Sequence, residues 1–203
     1  MRKIVCFGDT ITEMGSVLEL RGFAAQLADR YVRRADVLIR GFTGYTTNEA
    51  VKILKSAVLD EQPDFVIMFF GMNDSALPGQ IQHVPVKQYR RNMREMAQKV
   101  AMAGAWLVVV TPPPVDEKRI KSREMEHTAL YADAARQVAS DMQVPVVDLF
   151  SKIQEEENWP KTCLLDGLHL SANGMNRLYE ELAKTLDRMK PLEDFERISV
   201  NGI

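Results

Sequence analysis

Five short apolar segments recur along this chain, and amphipathic, helix-like stretches separate them. The segments are rich in Val, Ile and Phe and cover residues 3–7, 36–39, 65–70, 106–110 and 144–149. Continuous apolar runs of this length are typical of strands that are covered on both faces. Alternation of five such strands with five helices predicts an α/β fold, in which one parallel sheet carries helices on both faces.

Two of the helix-like stretches have a regular apolar period. In the first stretch, one face carries the residues Tyr89, Met93, Met96 and Val100. The second, after a predicted N-cap at Ser171, does the same with Met175, Leu178, Leu182, Leu186 and Met189. Spacings of three and four residues mark one side of an α-helix, so each stretch is predicted to pack a single face against the sheet.

The length of 203 residues favours one domain rather than two. We expect this domain to cover residues 1–190, with residues 191–203 as a C-terminal tail that lacks a clear period. A net charge of −2, with dispersed basic residues, argues against binding to nucleic acid or to an anionic membrane surface. No apolar run approaches the roughly 20 residues that a membrane-spanning helix needs.

The cysteines and histidines do not form metal or disulfide patterns. Cys6 and Cys163 are too few for a disulfide framework, so free thiols in a reducing compartment are expected. The chain enters its first strand without a charged-then-apolar leader, which predicts a cytoplasmic protein. His83, His127 and His169 show no metal-ligand spacing. The first two are expected at the surface, although His83 lies in a loop that follows a strand and could line a pocket.

In a parallel sheet the carboxyl ends of the strands meet at one rim, where ligands bind. The loops predicted at this rim are 8–15, 41–47, 71–85, 111–121 and 151–170. The first forms most of "CFGDTITEMG", residues 6–15, and delivers a carboxylate and two hydroxyls directly after a buried strand. We therefore expect the functional site to be assembled from these loops.

The polar residues of the loops match the needs of acyl transfer. This chemistry uses a hydroxyl nucleophile, an imidazole base, a carboxylate that orients the base, and donors for the oxyanion. Thr10, His169 and Asp166 can supply the first three. The N–H groups of Thr10 and Gly44 and the side-chain amide of Asn73 can supply the donors. In "DGLH" the carboxylate can fold back on the ring, which leaves the far ring nitrogen for the hydroxyl.

Each of these signals also has a structural interpretation. Asn73 and Asp74 after a strand are typical of a turn that satisfies its own hydrogen bonds. The hydroxyls of Thr10 and Thr12 are suited to capping a helix, and Asp-x-x-His alone is weak evidence for catalysis. The joint occurrence of these residues on one rim, in this order, is what favours an active site.

The chain resembles the SGNH (GDSL-type) hydrolase superfamily in four sequence blocks that occur in the same order. These blocks are "FGDTIT", "GFTGY", "FFGMND" and "DGLHLSANG". "RGFTGYTT", "FFGMNDS" and "TPPPVDE" are similar to its isoamyl acetate-hydrolysing esterase group. The resemblance covers residues 3–186 and implies a flavodoxin-like, three-layer fold with a five-stranded parallel sheet. It also implies that the partner is a small-molecule ester or thioester of a small or lipid-like acid, hydrolysed without a metal or cofactor.

The resemblance assigns catalytic and supporting roles residue by residue. The assigned positions are the nucleophile Thr10, the acid Asp166, the base His169, the oxyanion donors Gly44 and Asn73, and the supporting carboxylates Asp9 and Asp74. The backbone N–H of the nucleophile completes the implied oxyanion hole.

Thr10 departs from the family, which has serine at this position. Its hydroxyl is secondary, and its β-methyl group restricts χ1 and must fit beside the oxyanion donors. Three interpretations follow: a working or weakened esterase in which Thr10 attacks, a protein that binds an acyl compound without turnover, or a substitution with a purpose of its own. Asn48 and Glu49 are a second departure, since bulkier or basic residues are expected there, and they predict a different substrate preference.

Other functions on a similar sheet fit the sequence less well. A phospho-receiver domain could use Asp9 and Thr111 with a lysine at 152 or 161. However, the acidic pair expected at its first strand is absent and the chain is too long. The glycine motifs of nucleotide-binding proteins and the G-x-S-x-G elbow of α/β-hydrolases are also absent.

Overall fold

The computed structural model describes residues 1–189, and the predicted tail, residues 191–203, lies outside the described residues. Within the described part, five strands form one parallel sheet in the order β2-β1-β3-β4-β5. The strands are β1 Arg2–Gly8, β2 Ala35–Gly41, β3 Phe65–Phe69, β4 Trp106–Val110 and β5 Val146–Val147. The predicted α/β fold with a five-stranded parallel sheet is confirmed.

Helices connect the strands and cover both faces of the sheet. They are α1 Thr10–Met14, α2 Phe23–Arg30, α3 Thr47–Ala57, α4 Val86–Met102, α5 Met125–Asp141, α6 Leu149–Gln154, α7 Trp159–Thr162 and α8 Ala172–Asp187. Short 3-10 turns lie at Leu18–Leu20 and Leu59–Glu61. The prediction of five helices is too low because α1, α6 and α7 are only one or two turns long and show no apolar period.

Successive residues of the strands point to opposite faces and build two cores. On one face, Ile4 and Ile67 pack with α2 and α8, and on the other, Val5 and Met68 pack with α3, α4 and α5. Both predicted helical faces are buried in these cores. The Ser171 hydroxyl accepts a hydrogen bond from the Gly174 N–H at 3.3 Å, which confirms the predicted N-cap of α8.

Strand β5 is shorter than predicted. The apolar run at 144–149 forms only two residues of strand, Val146–Val147. The Asp148 carboxylate accepts a hydrogen bond from the Ser151 N–H at 3.3 Å and caps α6, which begins at Leu149. A helix cap therefore ends the strand, although the apolar pattern continues through it.

The strand register brings three loops together at one rim. Gly8 at the end of β1 is paired with Gly41 of β2 and Phe69 of β3, so the three strands end at the same level. A Cβ atom on Gly41 would lie 2.1 Å from the backbone nitrogen of Glu13 in α1. Only glycine permits this close approach, which packs the loop after β1 against the end of β2.

Three further observations concern the cysteines, possible metal sites and possible membrane spans. Cys6 and Cys163 are both free thiols, and both side chains are buried. Within residues 1–189, no group of three His, Cys, Asp or Glu side chains could hold a metal ion. No helix in the same part of the chain combines the length and apolar character required to cross a bilayer.

Candidate active site

The candidate site lies at the point where the order of the sheet reverses. The strand order is 2-1-3-4-5, so β2 lies on one side of β1 and forms an edge of the sheet. The chain then crosses back, and β3, β4 and β5 follow on the other side of β1. Loops at such a switch point diverge and leave a crevice for ligands. Thr10 follows β1, Gly44 follows β2 and Asn73 follows β3, so these three predicted site residues lie on neighbouring loops.

The loop after β1 is organised by Asp9. Its carboxylate accepts a hydrogen bond from the Ile11 N–H at 3.0 Å and caps α1, of which Thr10 is the first residue. Asp9 is only 2% exposed, whereas Thr10 is half-buried. The Asp9 carboxylate therefore shapes the turn from inside, and the Thr10 hydroxyl faces the rim.

Gly44 is in contact with the Thr10 hydroxyl. The Gly44 N–H donates a hydrogen bond to Thr10 Oγ1 at 3.2 Å. Gly44 has φ +79°, in the left-handed region that favours glycine, and this conformation turns its N–H towards Thr10. A backbone donor thus lies beside the oxygen that the sequence predicts to be the nucleophile.

Asn73 is buried and joins two loops. Its side-chain Nδ2 donates a hydrogen bond to the Tyr45 carbonyl at 2.8 Å, which ties the loop after β3 to the residue following Gly44. A side-chain amide has two N–H groups, and this bond uses one of them. Among the residues that the structure describes, no hydrogen bond uses the other N–H.

Asp166 and His169 form a closed pair within one turn. His169 Nδ1 lies 2.7 Å from Asp166 Oδ2, and Asp166 Oδ1 accepts hydrogen bonds from the Leu168 and His169 N–H groups at 2.9 and 2.8 Å. A bridge between Leu164 and Leu170 closes the turn. With Nδ1 facing the carboxylate, Nε2 is the ring nitrogen that can accept a proton.

The hydrogen bonds of this turn also hold Asp166 in its charged form. Partial burial would raise the pKa of Asp166, but the His169 ring and the two backbone N–H groups outweigh burial and lower the pKa to about 2. The carboxylate is therefore ionised throughout the neutral range, as a group that orients and stabilises an imidazolium requires.

The structure brings the predicted residues together in two sets. Thr10, Gly44 and Asn73 lie on adjoining loops, and Asp166 is hydrogen-bonded to His169. Within residues 1–189, no hydrogen bond joins the Thr10 hydroxyl to His169. Contacts of this kind are often long in unliganded enzymes and shorten when substrate binds.

Two buried carboxylates lie beneath the site. Burial raises the pKa of Asp9 to about 7 and that of Asp74 to about 6. Asp74 is fully buried, and its Oδ1 accepts hydrogen bonds from the N–H and the hydroxyl of Thr47, the first residue of α3. These contacts direct Asp74 into the protein, where it can fix the start of α3.

Asn48 and Glu49 both have hydrogen-bond partners within the protein, and their effect on substrate preference stays a prediction. The Glu49 carboxylate accepts a hydrogen bond from the Thr46 N–H at 2.9 Å and completes the capping box of α3. The Asn48 side chain accepts one from Asn92 Nδ2 at 2.9 Å. Glu49 stabilises the first turn of α3, and Asn48 joins this turn to α4.

His83 and His127 are half-buried rather than at the surface, which corrects the sequence-based expectation. Their ring centroids are 5.8 Å apart, and His83 Nδ1 lies 2.6 Å from the Ala76 carbonyl. The two rings pack the loop after β3 against α5, an arrangement that separation along the sequence conceals.

Arg123 is a buried residue at the site that sequence reasoning missed. It is 4% exposed, and its Nε donates a hydrogen bond to the Met72 carbonyl at 2.8 Å. In the sequence it lies within "DEKRIKSREME", a run of charges that is typical of a solvated surface. No signal in that run distinguishes the buried arginine from its exposed neighbours.

Comparison with known proteins identifies the family. The profile of the GDSL-like Lipase/Acylhydrolase family matches residues 6–177. The chain belongs to this family. A GDSL esterase/lipase of Arabidopsis thaliana is 39% identical, over 91% of this chain and 86% of the relative. The isoamyl acetate-hydrolyzing esterase 1 homolog of Mus musculus is 36% identical, over 92% of this chain and 82% of the relative.

A solved structure agrees with this assignment. The lipase/acylhydrolase from Enterococcus faecalis matches this GDSL-family chain with a TM-score of 0.81 at 26% identity, over 98% of this chain and 100% of that chain. The resemblance read from the four sequence blocks is thereby confirmed, including its similarity to isoamyl acetate-hydrolysing esterases. Family membership places the chain among carboxylic ester hydrolases.

Proposed function

We propose that this GDSL-family protein hydrolyses small carboxylic esters through Thr10, His169 and Asp166. The observation that carries the proposal is the closed Asp166–His169 pair, with 2.7 Å between carboxylate and ring, at the same rim as a threonine hydroxyl bonded to a backbone N–H. The pair supplies an oriented base with one ring nitrogen free. The hydroxyl already lies beside a donor suited to an oxyanion.

The proposed reaction proceeds in two stages. Thr10 Oγ1 attacks the ester carbonyl carbon while His169 Nε2 takes its proton, and the ionised Asp166 stabilises the resulting imidazolium. The N–H groups of Thr10 and Gly44 and the Asn73 amide hold the negative oxygen of the tetrahedral intermediate. His169 then protonates the departing alcohol, which leaves an acyl-threonine. Water attacks this ester while the same histidine takes its proton, the bond from the acyl carbon to Thr10 Oγ1 breaks, and His169 returns the proton to Oγ1 as the carboxylic acid leaves.

The relatives support a small acyl group. The mouse relative is named for isoamyl acetate hydrolysis, so we propose acetyl and other short-chain esters as substrates of this chain. No step requires a metal or cofactor. We further propose that residues 1–190 act as one catalytic domain, and a cytoplasmic location stays a prediction.

A second candidate function is binding of an acyl compound without turnover. It is favoured by Thr10 itself, because its hydroxyl is held at 3.2 Å by the Gly44 N–H and its β-methyl group limits rotation about χ1. A nucleophile that cannot turn towards His169 would leave a binding site with an intact oxyanion hole.

Hydrolysis of p-nitrophenyl acetate tests the proposal. We expect the wild-type protein to turn over, and His169→Ala to lower kcat by about 10⁴–10⁶, because members of such a triad act as a unit. The matched control is His127→Ala, which removes a histidine outside the proposed machinery and should keep the wild-type rate. A His169→Ala variant within a few-fold of wild type would remove this residue from the mechanism.

A further inference from the structure

Arg123 is a buried cation beside the candidate oxyanion donors, and no step of the proposed reaction uses it. Its Nε donates to the Met72 carbonyl at 2.8 Å, and its Nη2 donates to Gln82 Oε1 at 3.0 Å. Gln82 in turn donates from Nε2 to the Gly44 carbonyl at 3.2 Å. Three hydrogen bonds therefore connect the residue before Asn73 to Gly44.

The buried position of Arg123 points to a role in geometry. Burying a guanidinium is costly, and an apolar side chain could fill the same space. Within residues 1–189 its hydrogen bonds go to uncharged acceptors, and the buried carboxylates of Asp9 and Asp74 act on its charge without direct contact. A planar guanidinium is suited to this position because it donates in fixed directions to two acceptors at once.

The candidate donors need to be held relative to each other because they come from different strands. Gly44 follows β2 and Asn73 follows β3, and an oxyanion is stabilised only when both donors point at one place. The bond from Asn73 to the Tyr45 carbonyl is one link between the loops. The path through Arg123 and Gln82 is a second link, made by a residue of the loop after β4.

We propose that Arg123 is a positioning residue of the oxyanion hole. Through the Met72 carbonyl it fixes the backbone that carries Asn73, and through Gln82 it fixes Gly44, so that both donors face the same oxygen. This proposal rests on the proposed function, since it assigns Gly44 and Asn73 as the donors.

The first test measures kcat and KM for p-nitrophenyl acetate. Arg123→Lys keeps the charge but loses the planar fork, and Gln82→Met keeps the side-chain length but loses both hydrogen bonds. We expect each variant to lower kcat about ten- to hundredfold with KM within about twofold, because misplaced donors weaken transition-state binding alone. Arg91→Lys is the matched control, since Arg91 makes a similar bond of 2.6 Å to Gln88 on the exposed side of α4.

A double-mutant cycle separates positioning from a purely structural role. In the Asn73→Ala background the amide is gone, so Arg123→Lys should cost at least about threefold less than in the wild type. If Arg123→Lys lowers kcat by the same factor with and without Asn73→Ala, the proposal is wrong. Gln82→Met tests the same path at a half-buried residue if Arg123→Lys does not fold, and thermal unfolding reports which variants do.

The outcomes distinguish this proposal from the proposed function. A wild-type protein without turnover would overturn the proposed function and this assignment together. If the wild type is active and the Arg123→Lys and Gln82→Met variants have the same kcat as Arg91→Lys, only the positioning role of Arg123 is wrong.

Discussion

Thr10 brings a hydroxyl and a β-methyl group to the position that we propose as the nucleophile. We expect Thr10→Ser to raise kcat for p-nitrophenyl acetate about tenfold, equal to roughly 1.4 kcal/mol of barrier. The substitution removes the methyl group, frees χ1 and keeps an oxygen beside the Gly44 N–H, which lies 3.2 Å from the present hydroxyl. Thr10→Ala, assayed alongside, should show no turnover.

The same pair of variants tests the alternatives for Thr10. An alanine variant with full activity would show that the hydroxyl only shapes the turn. A wild type without turnover that serine rescues would identify a protein that binds acyl compounds on an esterase fold.

Asp9 gives the stability of the protein a dependence on pH. Burial raises the pKa of Asp9 from 3.8 to about 7, with Asp74 adding to the effect and Arg123 opposing it. Between these values the folded state retains a proton that the unfolded chain releases, so the free energy of unfolding falls as the pH rises. The carboxylate is tolerated at neutral pH at a cost in stability.

Asp9→Asn tests this dependence because asparagine resembles the protonated carboxyl and can still cap α1. We expect an unchanged Tm near pH 5 and a Tm about 5 °C higher at pH 8.5. Asp36→Asn, at an exposed carboxylate, serves as the control and should show neither effect. If Asp9→Asn instead lowers Tm equally at both pH values, the charged form of the Asp9 carboxylate stabilises the fold.

At the scale of elements, Asn73 couples the ends of β2 and β3. We expect Asn73→Ala to lower kcat about 10²–10³-fold, the usual loss for one oxyanion donor. The sequence alone predicts little change in folding. The structure adds a loss of about 1–3 kcal/mol in the free energy of unfolding, because the Tyr45 carbonyl loses the donor that lies 2.8 Å away.

Urea denaturation and ester hydrolysis of one preparation measure the two effects of Asn73→Ala. Asn176→Ala is the control, since it breaks a comparable side-chain bond, to Glu180 at 2.9 Å, on α8. An intact kcat combined with lower stability would make Asn73 a structural turn residue.

The sequence predicts the long elements well and the short ones poorly. Four strands are found within about two residues of their predicted ends, because continuous apolar runs mark strands that are covered on both faces. The fifth run is cut short by the Asp148 cap of α6, which competes with the apolar pattern. The four-residue helix α7 leaves no period to detect.

The candidate site is predictable in its list of residues but not in its contacts. The Asp166–His169 bond follows from spacing within one turn, and the sequence anticipates it. The bonds of Asn73 to Tyr45 and of Arg123 to Met72 join residues far apart in the chain, and only the folded sheet brings them together. Sequence patterns carry no record of such pairs.

At the scale of the whole molecule, the two cores share the central strand β3. Ile67 on this strand is 1% exposed and packs into the core with α2 and α8. We expect Ile67→Ala to lower the free energy of unfolding by about 2–5 kcal/mol, since it removes buried methyl groups and leaves a cavity. Urea denaturation measures this loss.

The control for Ile67→Ala is Val146→Ala on the edge strand β5, where the side chain is 37% exposed. This variant should lose less than about 1 kcal/mol. A similar loss at both positions would contradict a core centred on β3.

The order of the strands has a consequence for a ribosome that is making this chain. β1 emerges before both of the strands that it pairs with, β2 and β3, and the Asp166–His169 turn emerges only after β5. A nascent chain therefore carries Thr10 long before it carries His169, the proposed base. Under the proposed mechanism, ester hydrolysis during in vitro translation should appear only with chains that extend past residue 170. The delay between synthesis of this residue and the first hydrolysis measures how quickly the elements after β5 pack onto the sheet.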